Sequence, residues 1–283
     1  MVKKQTLKTI TWNLTVNIIE TYMPFHQSGT IRYYTFTSLD ETGIIHAIFT
    51  RQGGVSPEPW SSLNLGGTVG DDPARVSQNR QLIFQTVGRE PDTLYDVWQV
   101  HGTDVAYASA PRMPHVPHRQ ADVILAESPD VTLLMRFADC VPILLYDPVR
   151  RVVGLVHSGW PGTVKRVARN AVEAMQGMFG SHPKNVLAAI GPSIGPDHYD
   201  IGPDVEEQVR VAFGRDAASL LPSVNGGVQF DLWAANRLIL EESGVRQIEL
   251  AGICTACHQE DWYSHRGEQG QTGRFGVLMG LKK

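Results

Sequence analysis

Three apolar runs follow one another at short spacing: Val131–Met135, Ile143–Tyr146 and Val152–Val156. They predict three buried strands, with Asp147–Pro148 as turn chemistry between the second and third. The first ends at Ala138–Asp139–Cys140, and the third runs into His157–Ser158–Gly159–Trp160. A thiol and an imidazole therefore stand at strand ends, which are rigid positions, and both are ligand or nucleophile types. His101, in Gln99–Val100–His101–Gly102 after another short apolar run, is the candidate third member.

Elsewhere the pattern mixes strands and helices. Residues Met1 to Tyr22 alternate Thr or Asn with apolar residues, which predicts an N-terminal strand or hairpin, followed by a turn over Met23–Gly29. Arg32–Ser38 and Ile44–Thr50 are predicted strands, and Gln52–Gly70, rich in Gly, Ser and Pro, is a long ordered loop. Asp72 caps a helix with Pro73 at its first position and Val76, Ile83 and Val87 on its buried face. Val97–Val100 and Val105–Ala108 are short strands around His101. His115 and His118 have metal-like spacing in the Pro111–Gln120 loop, where a solvated loop is the simpler reading. After Trp160–Pro161–Gly162, one helix carries Val164, Val167, Ala168, Ala171, Met175 and Met178 on one face and stops at Gly180. Asn185–Ile190 is a strand, Gly191–Pro196 a tight turn, Pro203–Phe213 a helix, and Asp231 caps another over Leu232–Ser243. Ile248–Ile253 and Phe275–Met279 are the late strands. Strands outnumber helices without simple interleaving, so the class is α+β rather than a doubly wound sheet.

Composition narrows the function classes. A chain of 283 residues, 42% hydrophobic and 19% charged, has room for one large core. A net charge of −4 gives no basic footprint for nucleic acid. Neither a signal-peptide block nor a membrane-length apolar run is visible, so a cytoplasmic protein without a membrane partner is expected. Three cysteines make no disulfide framework.

From spacing alone, His101, Cys140 and His157 fit either an open three-ligand metal site or a core cysteine with two hydrogen-bonded histidines. Arg51, with the amides of Gly53 and Gly54, is the natural anion grip, and Asn64, His265 and Arg266 are further polar candidates. Cys254–Thr255–Ala256–Cys257 is a lone Cys-x-x-Cys, either redox-active or half of a zinc site; a structural role is the simpler reading.

Several short pieces occur together: Thr50–Arg51–Gln52–Gly53–Gly54–Val55–Ser56, Ser62–Leu63–Asn64–Leu65–Gly66, Gly70–Asp71–Asp72–Pro73 and Gln99–Val100–His101–Gly102. They continue with Ala138–Asp139–Cys140, His157–Ser158–Gly159–Trp160, Gly191–Pro192–Ser193–Ile194–Gly195–Pro196, Cys254–Thr255 and Ser264–His265–Arg266. In their number and order the chain resembles the YfiH/YlmD family, whose members also carry the labels laccase-domain, polyphenol oxidase and purine nucleoside phosphorylase. The resemblance implies a mixed-sheet, four-layer αββα sandwich forming a single catalytic domain over 1–283, with 1–30 a peripheral N-terminal segment. It implies that His101, Cys140 and His157 are metal ligands and the catalytic centre, with Zn2+ as the cofactor. It further implies phosphorolysis of adenosine and inosine, with methylthioadenosine among the candidate substrates, beside adenosine deamination; the partners are then a purine nucleoside and phosphate. The usual zinc deaminase pattern of His-x-Glu with Pro-Cys-x-x-Cys is absent. Two positions depart from the family, Pro161 and Gly267, where arginines are usual, and Ser158 replaces Ala. Two missing guanidinium groups predict weaker phosphate binding or a different substrate, and slow phosphorolysis if the chain chiefly binds nucleosides. Three competing readings follow: a copper-dependent polyphenol oxidase, a cysteine hydrolase using Cys140, and a binding protein without catalysis. The first sits poorly with ten histidines and no His-x-His pair.

Overall fold

The computed structural model describes residues 24–40, 42–224 and 226–283. The expected strand or hairpin over Met1–Tyr22 lies outside the described residues. Its strands are β1 (Phe25–Ser28), β2 (Ile31–Tyr34), β3 (Ile44–Phe49), β4 (Leu94–Asp96), β5 (Val105–Tyr107), β6 (Val123–Ala126) and β7 (Thr132–Phe137). They continue as β8 (Val141–Asp147), β9 (Val152–Ser158), β10 (Leu187–Ile190), β11 (Ser223–Val224), β12 (Gly227–Val228), β13 (Gln247–Leu250) and β14 (Phe275–Leu281). The helices are α1 (Thr37–Asp40), α2 (Pro73–Thr86), α3 (Trp160–Val164), α4 (Val167–Phe179), α5 (Pro203–Phe213), α6 (Ala217–Leu220) and α7 (Leu232–Glu242).

Two six-stranded sheets carry the fold, in the orders β1-β2-β3-β14-β7-β4 and β13-β10-β8-β9-β6-β5. Each is mixed: β4 runs parallel to β7, β5 to β6 and β10 to β13, and the other pairs are antiparallel. Side-chain alternation along the strands sorts the core into three apolar layers. Leu133, Met135, Phe137, Phe275 and Val277 of the first sheet meet Leu144, Tyr146, Val153 and Leu155 of the second. On its outer face, the first sheet packs Phe49, Leu134 and Leu278 against Ile83 and Phe84 of α2. Val123, Ile143, Leu145 and Val156 lie on the outer face of the second, beneath α4, α5 and α7. The result is the α+β, four-layer αββα sandwich in one domain. Among the described residues, no helix is long and apolar enough to cross a membrane.

Local chemistry explains both the agreements and the differences. Asp72 accepts from the Ala74 amide at 2.8 Å and Asp231 from that of Ala234 at 2.9 Å, so both expected N-caps are present. The single helix expected after Trp160 is two, because Arg166 takes a left-handed backbone (φ 61°) and ends α3 before α4 begins. Met178, expected on the buried face, is 49% exposed in the last turn of α4. Phe25–Ser28 is an edge strand paired with β2 rather than part of a turn. The segment expected as a strand over Arg32–Ser38 is paired only as far as Tyr34, then turns into α1. Val97–Val100 is not a strand; the strand is Leu94–Asp96, and the chain then bends to offer its amides to Asp122. β6 is a strand beyond those the sequence pattern predicts, and Val123–Ala126 is buried throughout.

Leu155 is fully buried where the two sheets face each other. Leu155→Ala should cost about 2–5 kcal/mol, measured by denaturant unfolding; a loss below 1 kcal/mol would mean that the layer closes over the cavity (an order-of-magnitude bound).

Candidate functional site

Alternation also explains why Cys140 and His157 meet. Val153 and Leu155 face the space between the sheets, so His157, two residues on, faces the same way. Leu144 and Tyr146 do so in β8, and Cys140, just before that strand, falls in step and packs against the same layer. Antiparallel register sets Pro142 opposite His157. Asp122 enters β6 one residue before Val123, which pairs with Val156. Its carboxylate accepts from His157 Nδ1 at 2.7 Å, and its carbonyl accepts from the His157 amide at 2.8 Å. The same carboxylate accepts from the amides of Val100 at 3.1 Å, His101 at 3.0 Å and Gly102 at 2.7 Å. These bonds hold His101 in a left-handed backbone (φ 57°) and bring its ring to a centroid distance of 4.9 Å from that of His157.

The three groups converge. Cys140 Sγ lies 3.7 Å from His101 Nε2, and the donor atoms of His101, Cys140 and His157 all lie within 4.8 Å of one another. His157 presents Nε2, because Asp122 occupies Nδ1. Only glycine fits at 159: a Cβ there would stand 2.9 Å from Cys140 Sγ and 2.8 Å from His101 Cδ2. Burial opposes the thiolate, yet His157 and His101 pull the Cys140 thiol down from 9 to about 6. Burial likewise opposes the imidazolium, but the Cys140 thiolate and Asp122 lift His157 to about 9.

Asp139 organises the opposite side. Its backbone is left-handed (φ 80°), and its carboxylate accepts from Thr255 Oγ1 at 2.7 Å, Ser264 Oγ at 2.7 Å and the Arg266 amide at 2.6 Å. Three distant motif pieces thus meet at one carboxylate, which sets His265 and Arg266 at the site's rim.

A cavity of about 700 Å³ opens above this cluster, with His101, Cys140, His157, His265 and Arg266 in its lining. Trp98, Trp160 and Tyr199 supply flat faces, and Arg80, Arg136 and Arg274 supply cationic ones. No local pattern in the sequence marks those three arginines. Leu134 and Arg136 share the face of β7 that α2 covers, and Arg80 comes from α2 itself. Burial and the neighbouring Arg136 charge hold the Arg80 guanidinium down to about 10. Its Nε is buried and, among the described residues, has no hydrogen-bond partner. Asp96, fully buried, pairs with Arg136 at 3.0 Å, Arg112 at 2.8 Å and His118 at 3.1 Å. His118 is therefore held by a carboxylate, and neither it nor His115 joins a candidate ligand group among the described residues.

Arg51, Gly53 and Asn64 do not line this cavity. Arg51 and Gly53 border a separate shallow hollow with Gln259 and Glu260. The Arg51 guanidinium is bound to the Ser61 and Gln259 carbonyls and to Glu268, and lies 4.5 Å from the Tyr263 ring centroid. Asn64 is buried; it donates to Asp71 at 2.9 Å and accepts from the Arg274 amide at 2.9 Å, which places it behind the cavity wall. Position 161 lies in the first turn of α3, and Gly267 donates its amide to Ser264 Oγ at 2.9 Å; neither lines the cavity.

Fold and site together define an α+β protein with a Cys/His cluster at the mouth of a cationic cavity. A family model described as multi-copper polyphenol oxidoreductase laccase matches residues 45–282, and the chain belongs to that family, which includes the YfiH and YlmD proteins. It is 37% identical over 238 residues to the purine nucleoside phosphorylase of Deinococcus radiodurans, covering 84% of this chain and 89% of that one. It is 34% identical to the purine nucleoside phosphorylase YlmD of Bacillus subtilis, covering 94% of this chain and 100% of that one. The crystal structure of YlmD from Geobacillus stearothermophilus superposes with a TM-score of 0.85 at 29% identity, covering 92% of this chain and 99% of that one.

Asp122→Asn should lower the His157 pKa from about 9 in the metal-free protein, read by NMR titration of its imidazole. The raised value stabilises the fold fully below pH 6.5, and that contribution is lost as the pH rises through about 9. The variant should lose it at lower pH. An unmoved titration would remove Asp122 from the electrostatics of the site.

Proposed function

We propose that the chain is a zinc-dependent, cytoplasmic purine nucleoside phosphorylase that accepts adenosine, inosine and methylthioadenosine and also deaminates adenosine. The observation that carries the phosphorylase reading is the pairing, in one cavity, of the Cys/His cluster with the arginine group around Arg80. His101, Cys140 and His157 would hold the zinc: two imidazoles and a thiolate suit this ion, and three protein ligands are the number found in its catalytic sites. Bound there, zinc supplies Lewis-acid stabilisation of negative charge developing on oxygen.

The chain's own residues do the rest. Arg80 and Arg136 repel each other, and phosphate bound between them would relieve that repulsion and accept from Arg80 Nε. Arg274 is close enough to feel the charges of Cys140 and Asp139, so it would extend the cationic surface towards the cluster. Trp98, Trp160 and Tyr199 offer faces on which a purine stacks. Burial and the nearby Cys140 charge push the Tyr199 phenol up, so it stays protonated and available as a hydrogen-bond donor. Arg266 lies over that ring at 5.1 Å, and with His265 would meet the nucleoside at the rim. Arg51, Gly53 and Asn64 would act as framework, Asn64 by fixing Arg274. The copper oxidase reading gains little support, since the two candidate ligand groups among the described residues contain three histidines between them.

Arg80→Gln should raise the KM for phosphate in inosine phosphorolysis roughly 10–100-fold, the loss of one charge-assisted bond, with the KM for inosine little changed. An unchanged phosphate KM would refute this anion site. Chelation should abolish turnover, and zinc rather than copper should restore it. Iodoacetamide should label Cys140 slowly in the zinc form and faster after chelation. Rapid labelling of fully metallated protein, or full activity without metal, would favour the cysteine hydrolase.

A further inference from the structure

A second cluster of donors lies apart from the first. Asp197, His198, Cys254 and Cys257 bring four ligand atoms within 4.8 Å of one another. The individual separations are specific: His198 Nδ1 to Asp197 Oδ2 is 3.1 Å and to Cys257 Sγ 3.5 Å. Cys257 Sγ to Asp197 Oδ2 is 3.7 Å, and Cys254 Sγ to His198 Nδ1 is 3.8 Å. A tetrahedral zinc with bonds of about 2.0–2.3 Å spaces its donors about 3.3–3.8 Å apart. Four of the six separations thus already stand at or near the edge lengths of such a tetrahedron, and the other two lie within 4.8 Å. Their chemistry agrees, because two thiolates, an imidazole and a carboxylate are all zinc ligands.

The framework around the cluster is built, not incidental. Cys254 is buried, accepts from the Gly195 amide at 3.2 Å, and sits on a parallel bridge between Ser193 and Cys254. Asp197 and His198 follow directly on the turn that this bridge anchors. The Cys-x-x-Cys element alone offers half of a closed site. The fold supplies the other half from a segment more than fifty residues earlier (roughly, by position in the chain).

We infer that Asp197, His198, Cys254 and Cys257 form a second, structural zinc site that staples the Gly195–Tyr199 segment to the Cys254–His258 turn. Four protein ligands leave no open position, so the site would not do chemistry itself. It would fix one wall of the cavity. Tyr199 follows His198 directly, and Arg266 donates to the carbonyls of His198 at 3.4 Å and Asp200 at 3.1 Å. The inference is independent of the zinc proposed at Cys140.

Metal analysis of the full chain, purified under reducing conditions and loaded with zinc alone, tests it. Wild type should hold two zinc ions per chain, Cys140→Ser one, Cys257→Ser one, and the double variant none. Asp197 and Cys257 are exposed, so Cys257→Ser and Asp197→Asn should fold normally. Cobalt loaded into Cys140→Ser should give a thiolate charge-transfer band that weakens in Cys140→Ser/Cys257→Ser. One zinc that is lost in Cys257→Ser but kept in Cys140→Ser would uphold this site and refute the proposed catalytic zinc. A zinc content in Cys257→Ser equal to that of wild type, with none left in Cys140→Ser, or a Cys254–Cys257 disulfide in the intact mass under reducing purification, would overturn the inference.

Discussion

The Asp122 carboxylate gathers four donors in the interior: three consecutive backbone amides from Val100 to Gly102 and the Nδ1 of His157. A buried carboxylate without such partners would be costly, and here every bond also does positional work. One set bends the chain out of strand geometry and points His101 at the cluster. The other fixes the His157 ring so that its remaining nitrogen faces Cys140. Without Asp122, two of the three converging groups lose their orientation, and the His157 imidazolium that draws the thiol down loses one of the two charges that support it.

Much of this was legible beforehand, and for identifiable reasons. The runs around Cys140 and His157 are continuous and apolar, so strand assignment and the placement of both groups at strand ends followed from periodicity. Asp72 and Asp231 announced their helices by capping chemistry. Arg80, Arg136 and Arg274 were not legible, because nothing local distinguishes a cavity arginine from a surface one; α2, β7 and the approach to β14 meet only in the folded chain. Asp122 had a local signal, a carboxylate at the head of Val123–Ala126, but that run was too short to stand out. Arg51 drew attention through its Gly-rich neighbours, and its guanidinium is instead spent on carbonyls and Glu268.

The scattered motif pieces have a common explanation. Asp139 draws the Thr255 and Ser264 pieces together, while Asp71 receives Ser56 at 2.6 Å and Asn64 at 2.9 Å. Asn79 of α2 adds bonds to Ser56 and to the Asn64 carbonyl. Several residues that look functional in the sequence therefore serve as anchors for loops. The loop over 52–70 is pinned this way, which brings Gly67 and Thr68 to the cavity.

The layered architecture divides the cavity's two chemistries. His101, Cys140 and His157 belong to the second sheet and the segments entering it, whereas Arg80, Arg136 and Arg274 belong to the first sheet and its covering helix. The spacing between the soft ligand cluster and the cationic wall is consequently a property of how the sheets stack. Aromatic packing of Phe137 in the first sheet against His157 in the second, with ring centroids 5.3 Å apart, then acts as the gauge of that spacing. A substitution deep in the apolar layer, touching no polar group, would retune the site by sliding one half past the other.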